Sequence, residues 1–260
     1  MIRALSAAAT GLEAQQTKIG NIANDLANVN TDGYKRTSTE FQDLMYETIK
    51  EPGGSLGAST QTPVGIQIGM GVKVGAAHKN FEQGPAKMTY NPFDFMIEGP
   101  GFFPVLTSQG EVAYTRNGAF HVDSQGTIQL SNGAKMIPQI TVPNNATNVV
   151  VNHAGEFRAI LPGGAETVIG QLQLVSFQNE QGLVATGDGL YKLSLATGAP
   201  IQSVPGENGV GFIQQGALEA SNVNVANSMV DMITTQRAYE MGTKVMGVAD
   251  QMLGATVNIK

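Results

Sequence analysis

The chain contains no cysteine and no tryptophan, and aromatic residues make up only 6% of its 260 positions. Without cysteine there is no disulfide to staple a small secreted scaffold and no thiolate to bind a metal or attack a substrate. Nothing can be misoxidised in an oxidising compartment, although cytosolic chains also lack cysteine often enough. The missing tryptophan removes the exposed aromatic platform that a secreted glycan-binding or adhesin β-module would normally present. Charged residues account for just 14%. No segment approaches the roughly 20 apolar residues of a membrane-spanning helix, so no transmembrane segment is expected. Ala7-Ala8-Ala9 superficially resembles a signal-peptidase site, but only about six residues precede it, too few for the apolar region of a signal peptide. Any export is therefore expected to proceed without a cleaved signal.

The net charge of −6 argues against nucleic acid and against anionic membranes as partners. Its distribution is more informative than its sum. Residues 1–30 carry two acids and two bases, and residues 222–260 carry three of each. The whole imbalance, 16 acids against 10 bases, falls in residues 31–221. Neutral ends can pack side by side at high density without self-repulsion, while an acidic middle stays solvated.

Both ends are amphipathic helix candidates. From Ile2, the positions Leu5, Ala9, Leu12, Gln16, Ile19, Ala23 and Leu26 follow in alternating steps of three and four, a heptad seam widened by Ile22 and Val29. The spacing predicts a helix from about Ala4 to Asn28, ended by Asn30-Thr31-Asp32-Gly33. At the other end Val225, Met229, Met232, Ile233, Tyr239, Val245, Met246, Met252 and Leu253 form a looser stripe on a helix of about 30 residues, with N-caps offered by Ser221, Asn222 and Asn224. Gly242, Gly247 and Gly254 inside it each cost about 1 kcal/mol relative to alanine, unless close packing uses the missing side chains. A thin helix pair leaves much of each stripe uncovered, and other copies of the chain are its natural cover. The unassembled ends are expected to be largely disordered.

Most of the chain's 32 glycines lie between the helices, among turns and short strands. Residues 34–50 suggest a short helix through Phe41, Leu44, Met45 and Ile49. A stretch rich in Gly, Ser and Thr follows, from Tyr46 through Pro52, Gly53 and Gly54 to Pro63, too poor in apolar side chains to order by itself. From about Gly71 the period changes to two. Phe102–Leu106 and Val112–Thr115 flank one turn, Ala119–Val122 and Thr127–Leu130 a second, Val149–Asn152 and Glu156–Ile160 a third, and Val168–Phe177 reads as strand. The fold class is therefore α+β. Its N- and C-terminal α-helices pair as a coiled-coil-like domain, and they bracket an extended linker and a central antiparallel all-β domain. The boundaries read as 1–30, 31–70, 71–215 and 216–260.

No active site is legible. His78, His121 and His153 sit in separate strand or turn contexts without metal-site spacing, and no Asp or Glu clusters around them. Gly69-Met70-Gly71 with Gly75 lacks the following helix and the Gly-Lys-Ser/Thr of a phosphate loop. Asp94, Glu98 and Glu111 are not forced together by strand alternation, and no serine lies in a nucleophile elbow. No catalytic, cofactor or metal site is expected. One polar pattern stands out: Asn21, Asn24 and Asn28 share one face of the first helix. Asparagine is a poor helix former, so this row reads either as hydrogen bonds to a neighbouring helix that fix register, or as a solvated face leading into a cap.

The segment Asn21-Ile-Ala-Asn-Asp-Leu-Ala-Asn-Val-Asn-Thr-Asp-Gly-Tyr-Lys-Arg36 resembles the signature of bacterial flagellar rod and hook proteins, with Asp25 for the usual Asn and Tyr34 for the usual Phe. Phe95–Phe103, Tyr114–Phe120 and Asp123–Gly126 are similar to the family's central block. Glu219–Val225 and Gln236–Glu240 are similar to its closing block. The Tyr46–Pro63 stretch is similar to an extra segment of distal rod subunits, with proximal rod and hook subunits as the rivals. The resemblance implies a structural subunit of the flagellar basal body, concerned with motility and carrying no enzymatic activity. It implies export through the flagellar type III apparatus and stacking into a helical tube in the periplasm, reaching the outer membrane. Terminal helices would line the core and the β-domain would face outward. The implied partners are further copies of the chain, proximal rod proteins, the hook protein, and the basal-body P and L rings. The shaft would carry torque from motor to hook, with the 46–63 insert stiffening it.

Overall fold

In a computed structural model the described residues are 2–51 and 64–257. Two helices bracket the chain: α1 (Ile2–Ala27) and α2 (Val225–Val257). The material between them is almost entirely short strands, which establishes the α+β class. The chain divides into two compact units. One contains residues 1–26, 37–78 and 225–260, the other residues 27–36 and 79–224.

The first unit holds α1, α2 and four strands: β1 (Thr37–Asp43), β2 (Tyr46–Lys50), β3 (Ile66–Gly69) and β4 (Val72–Lys79). β1 pairs with β4, and β2 pairs antiparallel with β3. Two of these strands occupy residues where a short helix was expected. The sequence reason is visible in retrospect: Thr37, Thr39, Thr48 and Ile49 are β-branched and stiff at χ1, and they favour the pleated backbone over a helical one. Strand structure therefore begins at residue 37, well before the expected onset near residue 71. The insert residues Pro52, Gly53, Gly54 and Pro63 lie outside the described residues; Tyr46 opens β2, exposed.

In the second unit the expected hairpins form. Phe103–Leu106 pairs antiparallel with Val112–Thr115, Phe120–Val122 with Ile128–Leu130, and Asn148–Val151 with Glu156–Ile160. The largest sheet has seven strands, in spatial order Val184–Gly187, Leu190–Lys192, Val112–Thr115, Phe103–Leu106, Lys135–Met136, Ile128–Leu130 and Phe120–Val122. Strand Glu166–Gln171 extends the third hairpin into a three-stranded sheet, and Leu174–Ser176 pairs separately with Ile201–Ser203. The expected single strand 168–177 is thus broken at residues 172–173.

Alternation explains how these strands bury one face. Phe95, Phe103, Phe120 and Phe157 are fully buried in one core, with Phe95 packed edge-on to Phe157 at 5.3 Å and Phe103 on Phe120 at 5.5 Å. Each such ring removes a large apolar area from water and gains edge-to-face attraction besides. A second cluster gathers Phe102, Tyr114, Val175, Phe177, Leu183 and Tyr191. Close backbone approaches demand glycine at particular points. At Gly118 a Cβ would collide with the carbonyl oxygen of Phe95, and at Gly84 with that of Ala220.

Candidate assembly surface and its anchor

Within the first unit, α1 turns its large apolar side chains inward. Leu5, Leu12, Ile19, Ile22 and Leu26 are half-buried and Ala14 is buried, whereas Ala9, Gln16 and Ala23 of the expected seam are exposed. Polar staples fasten α1 to the strands. The Asp25 carboxylate accepts from the Thr37 backbone N–H at 3.1 Å, Asn21 Nδ2 donates to Thr39 Oγ1 at 2.8 Å, and the Val72 N–H donates to Thr10 Oγ1 at 3.4 Å. Gly71 lies against Thr10 (φ +121°), so this glycine lets the turn between β3 and β4 approach the helix closely. The Asn row is thereby partly accounted for inside the chain. Asn21 bonds β1 rather than a neighbouring helix, Asn24 is exposed, and in the second unit Asn28 accepts from Thr31 Oγ1 at 3.2 Å beside the half-buried Val29.

α2 does the reverse. Its covered face is built of Ser228, Met232, Thr235, Ala238, Gly242, Met246, Ala249 and Leu253, mostly small residues in heptad steps. Gly242 backs directly onto α1: a Cβ there would stand 2.7 Å from Leu12 Cδ2. Gly247 meets nothing within 4 Å. Val225, Met229, Ile233, Tyr239, Val245 and Met252 of the expected stripe are exposed, and so are Val230, Met241 and Val248, which the sequence reading passed over. α2 is consequently apolar on two faces, and a helix of that kind is normally buried on both.

The second unit contains a buried charge cluster that ties the segment following α1 to the segment preceding α2. Lys35 is wholly buried and its Nζ donates to Glu219 Oε1 at 2.5 Å and to the Glu82 carbonyl at 2.7 Å. Glu219 also accepts from the Gly84 N–H at 2.9 Å, and its backbone carbonyl accepts from the Gly33 N–H at 2.7 Å. Arg116, equally buried, lies 3.5 Å from Glu219 Oε2, donates to the Gly99 carbonyl at 2.9 Å and stacks over the Phe102 ring at 5.0 Å. Next to this core, Asn222 accepts from the Arg36 N–H and donates to the carbonyls of Asn80 and Glu82.

Burial lowers the pKa of Lys35 below the ordinary lysine value, opposed by the Glu219 charge, and burial likewise lowers that of Arg116. Half-buried Glu180 has its pKa raised by desolvation, opposed by Arg116 and Lys35, and Tyr191 is pushed up to about 12 by burial. Removing either member of such a pair leaves a desolvated charge uncompensated. Sequence reasoning named Lys35, Arg116 and Glu219 only as parts of separate blocks. Their one available signal was that each block carries a charge beside glycine or apolar residues.

Nothing in the described residues converges on chemistry. His78 stands 3.8 Å from the Glu40 carboxylate, His121 3.1 Å from Ser131 Oγ, and His153 3.2 Å from the Ile213 carbonyl. Asp94 accepts from Asn91, Glu111 pairs with Lys192, and Glu98 is exposed, so the three carboxylates are not brought together. Among the described residues no group of acidic, histidine or cysteine side chains could hold a metal ion, and no helix is long and apolar enough to cross a membrane.

Comparison with known proteins gives three family matches along the chain. Residues 5–35 match the model described as flagella basal body rod protein. Residues 96–159 match the flagellar hook protein FlgE/F/G D1 domain, and residues 214–259 the flagellar basal body rod FlgEFG protein C-terminal. Lys35, Arg116 and Glu219 fall one in each. The chain is 42% identical over 254 residues to the flagellar basal-body rod protein FlgG of Buchnera aphidicola, covering 97% of this chain and 98% of that one. It is 42% identical over 261 residues to the FlgG of Caulobacter vibrioides and 32% identical over 265 residues to that of Bacillus subtilis, with full coverage of both chains in each case.

Proposed function

This chain belongs to the flagellar basal-body rod family, as a structural protein of the motility apparatus and not an enzyme, and we propose that it is a subunit of the distal rod. Copies stack into a helical tube in the periplasm that reaches the outer membrane. Their α1 and α2 pair in coiled-coil fashion around an export channel, and their β-domains face outward. The shaft joins proximal rod proteins to the hook, turns within the P and L rings, and carries torque from the motor. Subunits reach the growing tip through the flagellar type III apparatus without a cleaved signal.

The observation that carries this reading is the second apolar face of α2. Met229, Val230, Ile233, Met241, Val245 and Val248 are each more than half exposed in the single chain. Fully burying one such side chain is worth about 1.5–3 kcal/mol, so covering the face with other copies supplies a large association energy. The assignment to the distal part rests on the resemblance of residues 46–63 to the extra segment of distal rod subunits, and in this reading the segment stiffens the shaft by packing against adjacent subunits. Gold labelling of the chain in isolated basal bodies tests the position. Label along the distal segment of the rod supports the reading, and label confined to the proximal segment or the hook overturns it.

A further inference from the structure

Methionine is the only sulfur this chain carries, and α2 concentrates it. Of 11 methionines, Met229, Met232, Met241, Met246 and Met252 fall within the 33 residues of that one helix. Met232 and Met246 turn to the covered face, whereas Met229, Met241 and Met252 stand exposed at 52%, 60% and 54%. Met241 and Met252 close the two ends of a stripe at i, i+4, i+7 and i+11, with the exposed Val245 and Val248 between them. The methionines of the β-core are placed differently. Met96 and Met136 are 4% and 1% exposed, shut away from a dissolved oxidant.

A thioether is apolar and adaptable, which suits a face that other copies cover. It is also a nucleophile. Its sulfur lone pair attacks one oxygen of a peroxide, so the S–O bond forms and the O–O bond breaks. Sulfur gives up two electrons, and the departing hydroxide takes the proton left on the new oxygen and leaves as water. The product is a polar, chiral sulfoxide. Among apolar side chains such as Val245 and Val248 its oxygen finds no donor, and burial without a hydrogen bond is unfavourable. We propose that the methionines of α2 are a reversible oxidation site. A peroxide-class oxidant converts them to sulfoxides in the unassembled chain and so withdraws that chain from assembly; a methionine sulfoxide reductase returns it. Once copies cover the helix the same sulfurs are shielded, so existing assemblies are spared. This inference rests on the assembly reading above and adds to it a chemical control over the same helix.

The test treats purified full-length chain with hydrogen peroxide, maps it by peptide mass spectrometry, removes the oxidant and then sets the chain to assemble. Sulfoxide is expected on the methionines of α2 and on the exposed Met45 and Met88, and not on Met96 or Met136. Sedimentation should show assembly reduced roughly ten-fold or more, with recovery after incubation with methionine sulfoxide reductase. A chain carrying Met229→Leu, Met232→Leu, Met241→Leu, Met246→Leu and Met252→Leu, swaps that conserve volume, should assemble equally well before and after peroxide. Met45 and Met88 still gain oxygen in that chain, which proves that the oxidant acted. Undiminished assembly of chains with sulfoxide on α2 overturns the inference and leaves the assembly reading standing. So do unmodified α2 methionines beside an oxidised Met88, a loss that the reductase does not reverse, and a loss that persists in the leucine variant. Failure of the untreated, unsubstituted chain to assemble at any concentration overturns the assembly reading, and the inference with it.

Discussion

Lys35 Nζ and Glu219 Oε1, 184 residues apart in the chain, meet at 2.5 Å with neither side chain open to solvent. The pair holds the segment that leaves α1 beside the segment that enters α2. A chain whose ends must act together needs such a clasp, because two helices so distant in sequence have no local reason to be neighbours. Arg116, which directly follows the interior strand Val112–Thr115 of the seven-stranded sheet, fixes the clasp to the β-core.

Breaking the clasp should be costly. Glu219→Ala leaves Lys35 and Arg116 buried with only the half-buried Glu180 as a nearby counter-charge and is expected to lower unfolding free energy by about 3–5 kcal/mol. Lys35→Met should cost less, because Glu219 still faces Arg116. With no tryptophan in the chain, urea unfolding followed by tyrosine fluorescence measures both. Equal stability of the Glu219→Ala variant and the native chain would rule the clasp out.

Glu180 gives the pH dependence a sign. Desolvation raises its folded-state pKa above the unfolded value, so the folded protein holds this proton more tightly. The stabilisation is fully present below the unfolded pKa and is lost as pH rises through the folded one. Relative to Glu180→Gln, the native chain should therefore lose stability on going from about pH 4 to pH 7, the carboxylate range and just above. Unfolding midpoints of both chains across that range check it, and parallel curves would contradict it.

The glycines of α2 should divide by position. Gly242→Leu drives a side chain into Leu12 of α1, and such overpacking typically costs about 1–3 kcal/mol. Gly247→Ala meets open space and should instead gain up to about 1 kcal/mol of helix propensity. Helix content by circular dichroism during thermal unfolding of the assembled form, in which both helices are ordered, separates the two.

These sites also show what the sequence made legible. Hairpins announced themselves because turn residues such as Asp123-Ser124-Gln125-Gly126 sit between strands of period two, and both signals are local. α1 was legible for the same reason. The strands at residues 37–50 were not, because Phe41, Leu44, Met45 and Ile49 mimic helical spacing while pairing with distant β3 and β4 decides the backbone. α2 was legible in part: its large apolar residues mark the outward stripe, whereas the close approach to α1 comes at Gly242, where a side chain is missing. The clasp was least legible of all, since a lysine, an arginine and a glutamate in three separate blocks read as surface until the fold brings them together.

The outward face of α2 should matter for assembly and not for folding. Ile233→Ser and Val248→Ser are surface changes in the single chain, expected to alter its stability by no more than about 0.5 kcal/mol. Sedimentation should nonetheless show assembly strongly reduced. Equal assembly by the native and doubly substituted chains would remove this face from the interface.

Peptide-resolved hydrogen exchange on the dilute monomer and on the assembled form tests the central claim, that the terminal helices are completed by other copies. In the monomer, residues 2–27 and 225–257 should exchange fast while the strands from residue 95 to residue 219 stay protected. On assembly the two helices should become slow. Helices equally protected in a proven monomer and in the assembly would mean that the ends form a self-contained domain, and would contradict the account.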